Sequence, residues 1–294
     1  MAYSFGCREF KDWEGFVMCI FRLENINFSY GPGVPALLDV SLKIEQGEKI
    51  AILGANGSGK STLIKLLDGL IHPSSGAIDA FGVELTETKL RDDAFSHRFR
   101  RRVGFIFQNS DAQLFCSTVR DELAFAPLQM GLPSAEVEQR ISEVAAVLNI
   151  EKLINRSPFQ LSGGEKKKVA IAGSLVVNPD VILLDEPTNG LDPRSQRWLV
   201  ELLVSLHDAG KTIITSTHDL NIVPEISDRV IVFSEDHKIV AEGETMSVLA
   251  NKDLLLRVNL IHEHAHKHAG LWHAHPDEAA PHQPRERAER ENRS

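Results

Sequence analysis

The sequence predicts an α/β fold with a mostly parallel sheet, and three observations support this. Strand-like and helix-like segments alternate from residue 21 to residue 260, which is typical of parallel sheets whose strands are joined by helices. Two short segments, residues 181–184 and 212–215, are apolar or β-branched throughout, as expected for strands covered on both faces. A third, residues 49–53, leads into a glycine-rich loop and a helix-like stretch at residues 62–67.

The glycine-rich loop carries the most specific motif of the chain. Two of its glycines flank four residues and are followed by Lys60 and Ser61. Glycines let backbone N–H groups turn tightly towards a phosphate. Lys60 supplies a cation for the β- and γ-phosphates, and Ser61 supplies an oxygen for Mg²⁺. We therefore expect a nucleotide to contact Gly54, Ala55, Asn56, Gly57, Ser58, Gly59, Lys60, Ser61 and Thr62.

Two acids follow the strand predicted at residues 181–184. Asp185 would lie at the carboxyl end of that strand, beside the phosphate loop, where it can bind Mg²⁺ directly or through water. Glu186 follows where a carboxylate could orient an attacking water or take its proton. The competing interpretation is an ordinary strand end, and the phosphate loop earlier in the chain argues against it.

A third motif precedes the helix-like stretch at residues 166–177. Ser162, Gly163 and Gly164 stand where the helix would begin, and a helix N-terminus with exposed N–H groups is a second candidate anion site. The spacing leaves open whether the two sites act on one nucleotide or on two.

With these motifs in order, the chain is identified as a member of the family of ATP-binding subunits of ABC transporters, over roughly residues 21–245. Residues 54–62 resemble its Walker A motif, residues 181–186 its Walker B motif, and residues 161–165 its signature motif. Further matches are the Q-loop glutamine, the D-loop pair, the switch histidine and the aromatic residue that stacks on adenine, at Gln108, Leu191 with Asp192, His218 and Tyr30.

This resemblance implies a P-loop NTPase fold of the ABC type. It adds to the mostly parallel sheet an antiparallel β subdomain and a helical subdomain at about residues 109–177. Within that stretch the residue pattern itself predicts an amphipathic helix at residues 134–149, capped by Ser134. The implied cofactors are ATP and Mg²⁺, with the metal at Ser61, Gln108 and Asp185 and with catalysis by Glu186, His218 and Gln108.

The resemblance also implies a head-to-tail dimer with a second ATPase subunit, either an identical copy or a paralogue. In such a dimer the phosphate loop of one subunit is closed by the signature motif of the other. Ser162, Gly163 and Gly164 would then contact the γ-phosphate of a nucleotide held by the partner subunit.

Residues 107–115, 124–128 and 159–167 narrow the resemblance to the ATPases of energy-coupling-factor importers. These importers take up vitamins or transition-metal ions through membrane partner subunits, so the chain is expected at the cytoplasmic face of the cell membrane. Lys168 stands where arginine is commoner, and Ser110 and Ala112 replace the usual Pro and Asp. These departures concern the subfamily and leave the phosphate and metal contacts in place. The stretch from Gln108 to Phe115 should be near solvent, and its apolar Leu114 and Phe115 indicate a docking surface for a membrane partner.

Composition excludes several other classes. The net charge is −9 without a dense basic stripe, which argues against nucleic acid as the main partner. Three widely spaced cysteines are typical of a reducing compartment rather than of a disulfide framework. No apolar run reaches the ~18–20 residues that a membrane-spanning helix needs.

The two ends differ from the centre. Residues 1–20 form an N-terminal extension of weak periodicity; a start codon placed upstream of the real one, with Met18 as the true start, is one interpretation, and an ordered extension is the other. Residues 261–294 are predicted to be a mobile tail that holds seven of the twelve histidines.

Imidazole is a good ligand for Ni²⁺ and Co²⁺, and alternate residues of an extended chain share one face. On a helix, His262 would instead pair with His266, and His264 with His268, and either geometry could gather two to four ligands. The alternative is a solvated tail that binds metals only as any polyhistidine does. The candidate metal ligands are His262, His264, His266, His268, His273 and His275.

Taken together, the sequence predicts an ATPase that powers import of cobalt or nickel. The first alternative is the ATPase of a vitamin importer. A non-transport ABC ATPase is disfavoured, because only about a hundred residues separate the motifs at 54–62 and 161–165 and they contain no sustained heptads. A metal-storage protein with a vestigial ATPase core is disfavoured by the intact Lys60, Asp185, Glu186 and His218.

Overall fold

The computed structural model describes residues 19–261, together with the backbone of residues 263–268 and 271–276. The predicted extension therefore lies outside the described residues except at its last two positions. His262 and the chain beyond residue 276 also lie outside them.

Twelve strands occur in this part of the chain: β1 (Cys19–Gly31), β2 (Val34–Glu45), β3 (Lys49–Leu53), β4 (Ser75–Ala80), β5 (Val83–Glu84), β6 (Val103–Ile106), β7 (Val181–Asp185), β8 (Thr212–Ser216), β9 (Arg229–Phe233), β10 (Ile239–Glu244), β11 (Glu263–His268) and β12 (Leu271–Pro276). The α-helices among the described residues are α1 (Lys60–Leu67), α2 (Glu87–Leu90), α3 (Asp93–Arg102), α4 (Val119–Gln129), α5 (Ser134–Leu148), α6 (Gly163–Leu175), α7 (Pro193–Asp208), α8 (Val223–Ile226), α9 (Thr245–Leu249) and α10 (Lys252–Arg257).

The central sheet has six strands in the order β10-β9-β3-β8-β7-β6. All its neighbouring strands pair in parallel except β10, which pairs with β9 in the antiparallel sense. Strands β7 and β8 are buried at every position, as their apolar or β-branched residues predicted. The expected α/β fold with a mostly parallel sheet is confirmed, and the carboxyl ends of β3, β6, β7 and β8 meet at one edge.

A second, antiparallel sheet has the order β2-β1-β4-β5. Its apolar residues share one hydrophobic cluster with β3, β7 and α1, in which Leu63, Ile64, Leu66 and Leu67 are fully buried. Helix α1 is thus held between both sheets, which fixes the position of its first residue.

Three helices, α4, α5 and α6, lie within the stretch expected to be helical and pack in another apolar cluster that extends to α7. The helix predicted at residues 134–149 is present as α5, but Ser134 does not cap it. Pro133 occupies the N-cap position with φ −60° and ψ 141°, and Ser134 is already the first helical residue. Its hydroxyl therefore stands one position too late to receive the N–H groups of the first turn. Among the described residues no helix is long and apolar enough to span a bilayer.

Candidate functional site

The predicted phosphate loop joins β3 to α1 and depends on glycines with positive φ. Gly54, Gly57 and Gly59 have φ values of 154°, 84° and 112°, which residues with a side chain rarely adopt. A Cβ added at Gly59 would lie 2.3 Å from the carbonyl oxygen of Ala36. A larger residue would therefore separate the loop from β2 and shift the start of α1.

Lys60 is the first residue of α1, and its side chain folds back over the loop. Its Nζ donates to the carbonyl oxygens of Gly54 at 2.8 Å and Ala55 at 3.1 Å. The side chain is 5% exposed, and Nζ lies 3.5 Å from Oε1 of Glu186. A buried cation held in one position by its own loop is well placed to receive an anion.

A cavity of about 670 Å³ opens over this loop. Its wall includes Tyr30 of β1, Lys60 and Ser61 of α1, Gln108 after β6, and Glu186 after β7. The volume falls within the roughly 300–1,000 Å³ that is usual for small-molecule sites. Predicted site residues from four separate stretches of sequence therefore border a single cavity.

Tyr30 lies at the edge of that cavity with its ring 57% exposed. Its hydroxyl is 3.2 Å from Oγ1 of Thr62, and the ring of Phe28 packs edge-on against it, with the ring centroids 4.9 Å apart. The phenol is thus fixed at one end while an aromatic surface remains accessible beside the phosphate loop.

Ser61 lies in the cavity wall, and Asp185 is hydrogen-bonded to it from β7. Oγ of Ser61 donates to Oδ1 of Asp185 at 2.8 Å, and Oγ of Ser216 donates to the same oxygen at 2.6 Å. Hydroxyl, carboxylate and amide oxygens are the ligands that Mg²⁺ prefers. This pair, with Gln108 in the same cavity wall, has the donor chemistry that a nucleotide-bound Mg²⁺ requires.

Glu186 follows β7 in a left-handed backbone conformation with φ 42°. Its N–H group is hydrogen-bonded to both O and Oγ of Ser216 at 3.1 Å. Oε2 is 2.9 Å from Nδ1 of His218, whereas Oε1 has no hydrogen-bond partner among the described residues. A strained conformation of this kind costs about 1–3 kcal/mol, and here it accompanies a buried carboxylate oxygen that can accept a further hydrogen bond.

The second predicted anion site is the start of α6, where Ser162 is the N-cap residue. The N–H of Ser162 donates to Oε2 of Glu165 at 2.9 Å, and the N–H of Glu165 donates to Oγ of Ser162 at 3.4 Å. The bond from the Ser162 N–H, followed by the bond from its hydroxyl, lowers the pKa of Glu165. This reciprocal cap orders the first turn of the helix.

The start of α6 is separate from the phosphate-loop cavity. Within residues 19–261, Ser162, Gly163 and Gly164 are not part of the cavity wall. Ser162 and Gly163 are exposed. In a single chain the two predicted anion sites therefore do not meet on one nucleotide.

The D-loop match lies directly before α7. Asp192 caps that helix, and hydrogen bonds led by the one from the Ser195 hydroxyl lower the pKa of its carboxyl group. A Cβ added at Gly164 would lie 3.1 Å from Oγ of Ser195. Nζ of Lys168, where arginine is commoner in the family, lies 4.6 Å from the centroid of the Trp198 ring. Helices α6 and α7 are therefore in contact near their first turns.

Sequence reasoning missed Lys167, which is 3% exposed in α6. Its Nζ donates to the carbonyl oxygens of Phe107 at 3.1 Å and Gln108 at 2.9 Å. Burial lowers the pKa of Lys167 to about 8, against the opposing effect of the Asp185 carboxylate. Helical periodicity could have found it, because Lys167 shares the buried face with the apolar residues three and four positions later.

The stretch after Gln108 was expected to be a docking surface with Leu114 and Phe115 near solvent. Phe115 is 60% exposed and packs edge-on against Phe125, with the ring centroids 5.0 Å apart. The expectation is wrong for Leu114, which is 5% exposed because it belongs to the apolar cluster beneath α4 and α6. Gln113 also turns inward, where its Nε2 donates to the carbonyl oxygen of Ala170 at 3.0 Å.

The fold and the cavity define a P-loop nucleotide-binding protein of the α/β class. A family model described as ABC transporter matches residues 37–189. The chain therefore belongs to the ABC transporter family as an ATP-binding subunit, and it is an ATPase.

Three relatives illustrate the similarity. An ABC transporter ATP-binding protein of Methanosarcina acetivorans is 54% identical, over 85% of this chain and 91% of that protein. The nickel import ATP-binding protein NikO of Rhodobacter capsulatus is 48% identical, over 82% of this chain and 95% of that protein. The energy-coupling factor transporter ATP-binding protein EcfA of Methanothermobacter thermautotrophicus is 39% identical, over 82% of this chain and 76% of that protein.

A solved structure is also similar. It is cbiO1 of Clostridium perfringens, described as part of the ABC transporter complex cbiONQ. It is 38% identical, covers 82% of this chain and 95% of its own, and superposes with a TM-score of 0.71. The energy-coupling-factor resemblance seen in the sequence is confirmed at the level of the ATPase subunit.

Proposed function

We propose that this chain hydrolyses ATP to power import of nickel or cobalt through membrane partner subunits, bound peripherally at the cytoplasmic face of the membrane. The observation that carries the proposal is the single cavity bordered by the phosphate loop, Gln108 and Glu186. Asp185 is hydrogen-bonded to Ser61 of its wall. Similarity to an ATPase named for nickel import and to the energy-coupling-factor ATPase supports the transport class. The histidine-rich segment after the core favours a metal ion as the cargo.

In this proposal the phosphates of ATP lie against the loop from Gly54 to Thr62, with the adenine on Tyr30. Lys60 is already held by two carbonyl oxygens, so its ammonium reaches the β- and γ-phosphates without being ordered anew. Ser61, Asp185 and Gln108 would hold Mg²⁺, which neutralises charge on the phosphate oxygens when bound.

Hydrolysis requires a group that accepts a proton from water. Glu186 fits this role because Oε1 lacks a hydrogen-bond partner among the described residues, while His218 holds Oε2. A carboxylate fixed at one oxygen can orient water with the other and take its proton as the oxygen attacks phosphorus. Gln108 borders the same cavity and would help to position the water.

The separation of α6 from the cavity supports a second subunit as part of the site. The exposed Ser162, Gly163 and N-terminus of α6 offer hydrogen-bond donors and a favourable helix dipole to an anion. A head-to-tail pair would bring this surface of one subunit onto the γ-phosphate held by the other.

Docking to the membrane partner is assigned to the exposed pair Phe115 and Phe125. We expect Phe115→Ala to reduce transport several-fold while leaving ATPase activity of the chain without its partners near the parent value. Burying a Phe side chain against a partner surface contributes up to ~3 kcal/mol, and truncation to Ala removes that contribution. Transport and ATP turnover measured in the same reconstituted vesicles would test this.

Met246→Ala is the matched control, because Met246 is also 60% exposed but lies in α9. Equal transport by both variants would remove residue 115 from the interface. Crosslinking that captures no membrane partner from residues 108–119 would contradict the docking surface as a whole.

The alternative is a vitamin importer, which similarity to the energy-coupling-factor ATPase also supports. Uptake in a strain lacking this chain separates the two. Restoring the chain should restore accumulation of radiolabelled Ni²⁺ or Co²⁺, and the Glu186→Gln variant should not. Restored vitamin uptake without metal uptake would favour the alternative, and restoration of neither would refute import by this chain.

The histidine-rich segment is proposed to bind nickel or cobalt without serving ATP hydrolysis. Removing residues 262–294 should leave ATPase activity near the parent value, because every motif of the ATPase lies before residue 262. The same removal should abolish most tight metal binding, because residues 19–261 hold no group of three or more potential metal ligands. Binding should also weaken as pH falls through about 6.5, because protonated imidazole cannot ligate a metal.

Calorimetry with Ni²⁺, Co²⁺ and Zn²⁺ on the full and shortened chains measures these effects. Equal metal binding by both chains would end the proposal. A strong preference for Zn²⁺ with no change in uptake would favour the nonspecific polyhistidine interpretation.

A further inference from the structure

The histidines after the core lie on two paired strands. Strands β11 and β12 are antiparallel, and their register sets His264 opposite His275, His266 opposite His273, and His268 opposite Leu271. Residues directly opposite one another in an antiparallel pair share a face, and the faces alternate along each strand. One face of the hairpin therefore carries five histidine positions and Leu271.

The other face carries no histidine. Its positions pair Glu263 with Pro276, Ala265 with Ala274, and Lys267 with Trp272. The alternation of histidine with other residues in β11 and β12 matches the two-residue period of the strands. The register places the histidine positions of β11 and those of β12 on the same side of the sheet. The spacing within either strand alone does not determine this.

We propose that the two cross-strand pairs, His264 with His275 and His266 with His273, form a binding site for one borderline divalent cation such as Ni²⁺, Co²⁺ or Zn²⁺. Opposite positions have Cβ atoms about 4.5–5.5 Å apart, and successive pairs on one face are about 6.6 Å apart along the strands. Imidazole nitrogens bind such ions at about 2.0–2.1 Å. Four histidine positions this close together on one face have the spacing that a site for a single ion requires.

Metal binding and hairpin formation would support each other. An isolated two-stranded hairpin is at most marginally stable in water, and an ion that binds only the paired form stabilises that form by mass action. The hairpin is thus a site whose order depends on the concentration of the ion. This inference deepens the proposed metal-binding tail and does not depend on which cargo is imported.

The decisive experiment keeps the composition and changes only the face. The swapped variant moves two imidazoles to the opposite face of β11. It carries the substitutions His264→Ala, Ala265→His, His266→Lys and Lys267→His. We expect it to bind Ni²⁺ and Co²⁺ at least about tenfold more weakly than the parent in full-chain calorimetry. The control variant, His97→Ala with His282→Ala, removes two histidines outside the two strands and should bind as the parent does.

The outcomes separate the four-histidine site on the hairpin from the broader proposal that residues 262–294 bind metal. Equal binding by the swapped and parent chains, with loss on removal of residues 262–294, would leave a metal-binding tail but overturn the four-histidine face. Equal binding by all of the chains would overturn both. Parent-level ATPase activity in each variant shows that the core remains folded, and visible absorption of bound Co²⁺ that changes in the swapped variant but not in the control supports the assigned ligands.

Discussion

Glu186→Gln should abolish ATP turnover while leaving ATP bound, so that the closed dimer accumulates. The amide keeps the size of the side chain and can still contact Nδ1 of His218, but it cannot take a proton from water. The loss of a positioned general base costs typically 10²–10⁴-fold in rate, so we expect turnover to fall by about that factor. Steady-state ATPase assays and size-exclusion chromatography with and without ATP measure the two effects.

Glu225→Gln provides the control. Glu225 is an exposed carboxylate whose Oε2 accepts a hydrogen bond from Arg197 at 2.6 Å, and it is not part of the cavity wall. Its loss should leave turnover near the parent value. Parent-level turnover in Glu186→Gln would remove Glu186 from the chemical step.

Lys60→Ala should weaken ATP binding by about ten- to a hundredfold, the equivalent of one charged hydrogen bond of ~1.5–3 kcal/mol. The lost ammonium is the buried cation that bridges the carbonyl oxygens of Gly54 and Ala55 at the phosphate loop. Lys65→Ala removes a lysine from the last turn of the same helix and should leave affinity unchanged. Calorimetry decides this, and unchanged affinity in Lys60→Ala would contradict the placement of the phosphates.

Lys60→Ala also tests whether two subunits share one ATP site, when this variant chain is mixed with a Ser162→Arg chain. Ser162→Arg should spare nucleotide binding by one chain yet block activity of the pair, because it fills the exposed start of α6. In a mixed dimer of the two variants, one site receives both defects and the other receives none, so activity should return.

A mixture of Lys60→Ala with the double variant Lys60→Ala/Ser162→Arg has no intact site and should stay inactive. Failure of the first mixture to regain activity would argue against a shared site. This outcome is independent of the affinity measurement on Lys60→Ala.

The positions of the candidate site residues in the fold could be predicted from local sequence, because each motif is a short stretch tied to one strand end or helix start. The loop from Gly54 to Thr62, Asp185 and Glu186 fall at the carboxyl ends of β3 and β7, where the parallel order brings them together. Contacts between distant segments were harder to predict. Lys167 is one of three consecutive lysines in α6, and only the packed structure brings its ammonium to the carbonyl oxygens of Phe107 and Gln108.

Two other errors have the same origin. Leu114 was expected near solvent because it closely follows the Q-loop glutamine Gln108, but α4 and α6 supply an apolar cluster that covers it. Ser134 was expected to cap α5, but the helix begins one residue earlier than that role requires. In both cases tertiary packing or local backbone geometry prevailed over residue preference.

The fastening of α6 to the segment after β6 has a mechanical consequence. The helix begins at the signature residue Ser162, and further along it is joined to residues 107, 108 and 113 by four hydrogen bonds. A rotation that carries the start of α6 towards a second subunit must therefore carry Gln108 and the ring of Phe115 with it, unless those bonds break. Movement of the start of α6 onto the γ-phosphate held by a second subunit would then be mechanically coupled to a tilt of the proposed docking surface around Phe115.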